Sequence, residues 1–136
     1  MFRKYYKNPV KLGFKNIAQT VTAALDHVGL LAVELFVTPE NDILVNEVAP
    51  RPHNSGHYSI EASNTNQFEM HLRAIMDLPL GNTNSKVGGV MVNLVGSEGH
   101  QGPVVYKNME AILAMPGVTP HIYGKSTTRP FRKMGH

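Results

Sequence analysis

The chain has 136 residues, 42% hydrophobic and 17% charged, with a formal net charge of +3 and no cysteine. That length holds one domain, or a small domain with part of another, and the composition excludes a disordered tail or a collagenous repeat. Disulfides and thiolate metal sites are excluded, and the apolar runs fall short of the roughly 20 residues that cross a bilayer, so no membrane role and a cytoplasmic setting are expected.

The positive charge gathers at the ends, with Arg3, Lys4, Lys7, Lys11 and Lys15 at one and Lys125, Arg129, Arg132 and Lys133 at the other. Nucleic-acid readers interleave such charge with stacking aromatics in a recognisable module. None is present in the sequence, and no nucleic-acid partner is expected.

Residues 1–15 carry Asn8-Pro9 and Gly13 as breakers and read as a lead-in. Ile17, Val21, Leu25 and Val28 then recur at helical spacing, with Asn16 and Gln19 as a capping box and Gly29 as the stop. Two β-rich runs follow, separated by Pro39–Asp42, which predicts a hairpin with a four-residue turn.

The loop APRPHNSGH leads to a second helix, with Asn64 or Thr65 as its cap and Phe68, Leu72, Ile75 and Met76 as its buried stripe. Further on, the pattern predicts a strand over 87–95, a helix over 109–115 and a strand over 118–123. The tail STTRPFRKMGH shows no closing element. The fold class expected is α+β, divided into a lead-in (1–15), a main part (16–81) and a small lobe (82–136).

A four-residue turn pairs Thr38 with Ile43 and, counting back, sets Glu34 opposite Glu47 on one face of the hairpin. Opposed like charges are destabilising, and a hard cation such as Mg²⁺ relieves them. A solvent-facing pair fits the same spacing, so the pairing alone leaves both readings open.

Asn46–His57 concentrates a carboxylate, amides, a guanidinium, two imidazoles and a hydroxyl in one loop. An ordinary polar turn is the plain alternative, since Pro50, Pro52 and Gly56 suit any loop. His53 and His57 stand four apart, but Pro52 and Gly56 argue against the helix a zinc pair needs. His27, His71, His100 and His121 belong to no constellation; His71 is expected to be solvated. Ser55 lacks a nucleophile elbow, and neither GxGxxG nor GxxxxGK[ST] occurs.

The segments GLLAVELFVTPENDILVNEVAPRPHNSGHYSIEASNTNQFEMHLRAIMDLPLG and KSTTRPFRKMGH resemble 5-(carboxyamino)imidazole ribonucleotide synthase, the ATPase subunit of phosphoribosylaminoimidazole carboxylase. The resemblance runs from Asn16 to His136 and rests most on NE-x-APRPHNSGH. It implies the second half of an ATP-grasp domain followed by a small C-terminal lobe. The implied reaction is ATP-dependent carboxylation of 5-aminoimidazole ribonucleotide by bicarbonate through carboxyphosphate, with ATP and Mg²⁺ as cofactors and a homodimer as the assembly.

The resemblance also assigns roles. Glu34 and Glu47 bind Mg²⁺, with Asn46 and Glu47 at the nucleotide; Arg51, His53 and Asn54 face bicarbonate and carboxyphosphate; Lys125 and Arg132 hold the ribonucleotide phosphate. Family members carry the rest of the ATP enclosure upstream of the matched part, so this chain is expected to be inactive alone. The alternatives are another ATP-grasp ligase, such as formate-dependent glycinamide ribonucleotide transformylase, whose loop differs at His53-Asn54-Ser55, and a noncatalytic binding or assembly module.

Overall fold

The computed structural model describes residues 8–136, with side chains from Leu12 onward. Arg3, Lys4, Lys7 and the rest of 1–7 lie outside the described residues. The expected α+β class is what the chain adopts, with helices and small antiparallel sheets in two compact units that divide between Gly89 and Val90.

In the first unit, helix α1 spans Asn8–Ala24, so it already runs through residues read as a lead-in, and Asn16 is an interior position rather than a cap. Asn8-Pro9 misleads as a breaker because proline is tolerated where a helix begins. Gly13 has a packing role instead: a Cβ there would run into Ile43 Cδ1, so its absence lets α1 approach the hairpin. Helix α1 stops before Gly29, with Asp26 left-handed at φ 46°.

Gly29 (φ 119°) serves the turn into the hairpin, where an added Cβ would lie 2.9 Å from the His71 ring. His71 is half-buried rather than solvated, and its Nδ1 accepts the Leu30 amide at 3.0 Å. His27 Nε2 lies 3.1 Å from the Leu30 carbonyl oxygen. These two imidazoles fix how the chain enters the sheet.

Strands β1 (Ala32–Val37) and β2 (Ile43–Ala49) form the expected antiparallel hairpin. The turn differs from the prediction. Thr38 N–H donates to Asp42 O (2.9 Å), Asn41 N–H donates to Thr38 O (3.0 Å), and Asn41 takes φ 71°. This is a three-residue loop closed by a left-handed residue, which asparagine tolerates. Val37, not Thr38, therefore pairs with Ile43.

After the loop 50–53 come a 3-10 turn (Asn54–Gly56), α2 (Ser59–Ala62) and α3 (Gln67–Ile75). Asn66 caps α3, its Oδ1 accepting Phe68 N–H and Glu69 N–H at 3.0 Å each, in place of the expected Asn64 or Thr65. The predicted stripe is amphipathic but not covered: Phe68, Leu72, Ile75 and Met76 are exposed in this chain. The tight packing lies at the other end of α3, where Ser59, Ala62, Ser63, Thr65 and Gln67 are buried. Residues 82–86 close over it through Thr65 N–H to Asn82 O (3.0 Å), Asn64 N–H to Asn84 O (3.0 Å) and Lys86 N–H to Ala62 O (2.6 Å). Those bonds put the division of the chain after Gly89 rather than at Asn82.

The second unit replaces the long strands expected over 87–95 and 118–123 with shorter pieces. β3 (Leu94–Val95) pairs with β6 (Lys133–Gly135), and β4 (Gly102–Pro103) pairs with β5 (Thr127–Thr128). Ile122 makes an isolated bridge to Gly135. A β-prone run becomes strand only where a partner supplies a ladder, and Val87, Val90 and Val92 are exposed. Helix α4 (Met109–Leu113) falls where predicted. The tail is not loose: it provides β5 and β6, with Thr128 and Met134 buried.

Candidate functional site

The hairpin carries the carboxylates. Pairing runs Val37–Ile43, Phe36–Leu44 and Leu35–Val45, then shifts by one residue, so that Glu34 pairs with Glu47. A regular ladder begun at Val37–Ile43 would set Asn46 opposite Glu34 and turn Glu47 to the other face. The extra residue in β2 is a bulge that brings both Asn46 and Glu47 to Glu34. Asn46 Nδ2 donates to Glu34 Oε2 at 3.2 Å. The expected pairing of Glu34 with Glu47 therefore holds, by a different route: a shorter turn offset by a bulge.

His53 stands between the two acids. Its Nδ1 is 3.6 Å from Glu34 Oε1 and its Nε2 is 3.7 Å from Glu47 Oε1. The imidazole is largely covered, with 12% of its side chain exposed, whereas Glu34 and Glu47 keep 38% and 50% open to solvent. Nδ1 also lies 2.9 Å from the Ser55 hydroxyl oxygen and 3.4 Å from the Ser55 amide nitrogen.

Among the described residues no lysine or arginine pairs with either carboxylate, and no group of three or more His, Cys, Asp or Glu residues forms a metal cluster. Two hard carboxylate donors on adjacent strands fit Mg²⁺, which takes one or two carboxylates and completes its octahedron with phosphate oxygens and water. The donor chemistry fits the cation, and a closed protein cage is not what that cation needs.

Arg51 is exposed, its Nη1 donating to Pro52 O at 3.2 Å. Asn54 opens the 3-10 turn, and its Oδ1 is buried with no hydrogen-bond partner. Sequence reasoning missed Gln67, whose amide reaches back from α3 to the His53 backbone and to His57 Nδ1. No signal in the sequence marks it; in the fold, Gly56 leaves no room for a Cβ against the Gln67 amide. A cleft of about 270 Å³ opens beside this network, lined by His53, Ser55, Gln67, Leu30 and Met70 among others.

Lys125 and Arg132 belong to the second unit. Lys125 Nζ donates to Lys133 O at 2.5 Å and lies 5.6 Å from the centre of the Tyr123 ring. Arg132 Nη1 donates to Thr127 O (2.9 Å) and to Thr127 Oγ1 (3.3 Å). Lys125 thus ties to β6 and Arg132 to β5.

Among the described residues no helix is long and apolar enough to cross a membrane. Residues 4–68 match the ATP-grasp domain family, and residues 89–136 match the phosphoribosylaminoimidazole carboxylase C-terminal domain. The N5-carboxyaminoimidazole ribonucleotide synthase of Synechococcus elongatus is 47% identical over 121 residues, which is 88% of this chain and 30% of that protein. The crystal structure of the Thermotoga maritima synthetase superposes with a TM-score of 0.88 at 50% identity, covering 96% of this chain and 36% of that one. The Aspergillus clavatus synthase, solved with ADP and 5-aminoimidazole ribonucleotide, gives a TM-score of 0.85 at 33% identity, covering 97% of this chain and 35% of that one. The chain thus spans about a third of the length of these relatives. Two family matches in tandem, together with sequence and fold similarity across both units, place the chain in the N5-carboxyaminoimidazole ribonucleotide synthase family of ATP-grasp ligases.

Proposed function

We propose that this chain supplies the Mg²⁺ edge and the carboxyl-transfer edge of an ATP-dependent ligase of purine biosynthesis. The substrates are 5-aminoimidazole ribonucleotide, bicarbonate and ATP; the products are the N5-carboxylated ribonucleotide, ADP and phosphate. The observation that carries this reading is the opposed pair Glu34 and Glu47, with Asn46 bonded to one acid and His53 set between both.

Bicarbonate is a poor nucleophile, and the γ-phosphate it attacks is strongly negative. Mg²⁺, when bound by Glu34 and Glu47, neutralises part of that phosphate charge. Asn46 fixes the Glu34 carboxylate, so the donor oxygens are oriented before ATP arrives. Arg51 presents an exposed guanidinium whose fork suits a carboxylate or phosphate anion. His53 sets an imidazole beside both acids, able to donate a hydrogen bond or to carry a proton, and Asn54 brings a buried, unpartnered acceptor to the same loop. Carboxyphosphate formed from bicarbonate then gives its carboxyl carbon to the exocyclic amine: the N–C bond forms, the C–O bond to phosphate breaks, and the amine loses a proton. Lys125 and Arg132 hold the ribonucleotide phosphate, a dianion suited to an Arg fork with a Lys point charge. The working assembly in this reading is a cytoplasmic homodimer.

The test joins this chain to the preceding part of the Thermotoga maritima synthetase, because the chain alone is expected to show no turnover. ADP release should then require both the ribonucleotide and bicarbonate. A folded chimaera that hydrolyses ATP at the same rate without the ribonucleotide overturns the reading.

A further inference from the structure

We propose that Gln67 is the positioning residue for His53, holding its backbone so that the imidazole stays between Glu34 and Glu47. This rests on the carboxylation reading for its kinetic consequence, but not for the clamp itself.

His53 has φ −120° and ψ 149°, an extended conformation. In an extended residue the N–H and C=O of the same residue point to the same side, as in a sheet ladder. A single primary amide can therefore satisfy both. Gln67 does so: its Oε1 accepts His53 N–H at 2.9 Å and its Nε2 donates to His53 O at 2.9 Å. The two backbone partners fix which end of the amide is which. The second Nε2 hydrogen meets His57 Nδ1 at 2.9 Å.

The clamp is itself held. Gln67 is 8% exposed and stands at the start of α3, whose cap Asn66 sets the helix position. Its N–H donates to Ser59 Oγ (3.0 Å), and Ser59 Oγ in turn donates to Gly56 O (2.5 Å). Gly56 lies directly against the amide. A buried amide that loses these partners carries its full desolvation cost, so the arrangement has one favourable geometry. With the His53 backbone pinned at both polar atoms, little but side-chain rotation remains, and Ser55 Oγ at Nδ1 restrains that. No other side chain reproduces the pattern: glutamate lacks the donor for His53 O, methionine lacks donor and acceptor, and asparagine is shorter by one methylene.

The experiment uses the chimaera described above with Gln67→Met and, should that variant fail to fold, Gln67→Glu. Hydrogen exchange followed by NMR should show the His53 amide exchanging at least about tenfold faster, with amides of the second unit unchanged. In steady-state kinetics kcat should fall about 10- to 100-fold while KM for ATP stays within about twofold, since misplacing a reacting group by about 1 Å costs that much. In a His53→Ala background the same substitution should have no further effect on kcat. Unchanged exchange at His53, or kcat losses that multiply in the double variant, overturns the proposal. If the parent chimaera shows no ribonucleotide-dependent turnover, the carboxylation reading fails, and the exchange measurement still decides the clamp.

Discussion

Glu34 lies directly opposite Glu47, and the residue between β2's regular pairing and that contact, Asn46, bonds Glu34 rather than facing away from it. A plain strand cannot present two consecutive side chains on one face. The bulge does, and it gives the site an amide and a carboxylate from adjacent residues. Replacing either glutamate by glutamine should therefore remove one of two carboxylate charges without altering the hairpin. In the chimaera, Glu34→Gln or Glu47→Gln is expected to lower kcat by at least about 100-fold, since metal-assisted charge neutralisation contributes several kcal/mol. An unchanged circular dichroism spectrum would show that the fold persists.

The left-handed residue of the turn offers a separate test of register. Asn41 adopts φ 71°, a conformation that costs a β-branched residue about 1–2 kcal/mol. Asn41→Val should lower the thermal midpoint, whereas Asn41→Gly should leave it level or raise it. The reverse order would mean that the loop does not need a left-handed residue.

Much of the carboxylate site is legible in the sequence because period-two alternation and a Pro-Glu-Asn-Asp turn fix a hairpin. Its detail is not. Asn41 closes the loop one residue early, and Asn46 carries a bulge with no glycine or proline to mark it, so the two deviations cancel at Glu34 and Glu47. The helical spacing of Leu72, Ile75 and Met76 is likewise real, but spacing says which residues share a face and not whether anything covers it. Gln67 escapes notice because a polar residue beside a helix cap ordinarily faces water; only the fold brings it under the loop. β5 and β6, two and three residues long, are too short to show a period.

Gly56 tests the packing under the loop. A Cβ there would collide with Gln67 Oε1 and come within 2.8 Å of Gln67 Cδ. Gly56→Ala should destabilise the first unit by about 1–3 kcal/mol, the usual cost of overpacking, as read by chemical denaturation of the chimaera. Native-like stability would show that the amide has room to shift.

Arg132 separates binding from bracing. Its guanidinium holds Thr127 O and Thr127 Oγ1. As a phosphate ligand it should, on replacement by alanine, raise KM for the ribonucleotide by about tenfold or more with little change in KM for ATP, since a charged hydrogen bond contributes roughly 1.5–3 kcal/mol. Equal increases for both substrates would mean that it only braces the loop.

The division after Gly89 has a use beyond description. Gly88 has nothing within 4 Å of where a side chain would begin, and Val87 and Val90 on either side are 60% and 86% exposed. The C-terminal family match also starts at residue 89, at the boundary of the two compact units. Such an exposed junction is a natural crossover point: protease should cut there first, and the second units of relatives should be exchangeable there.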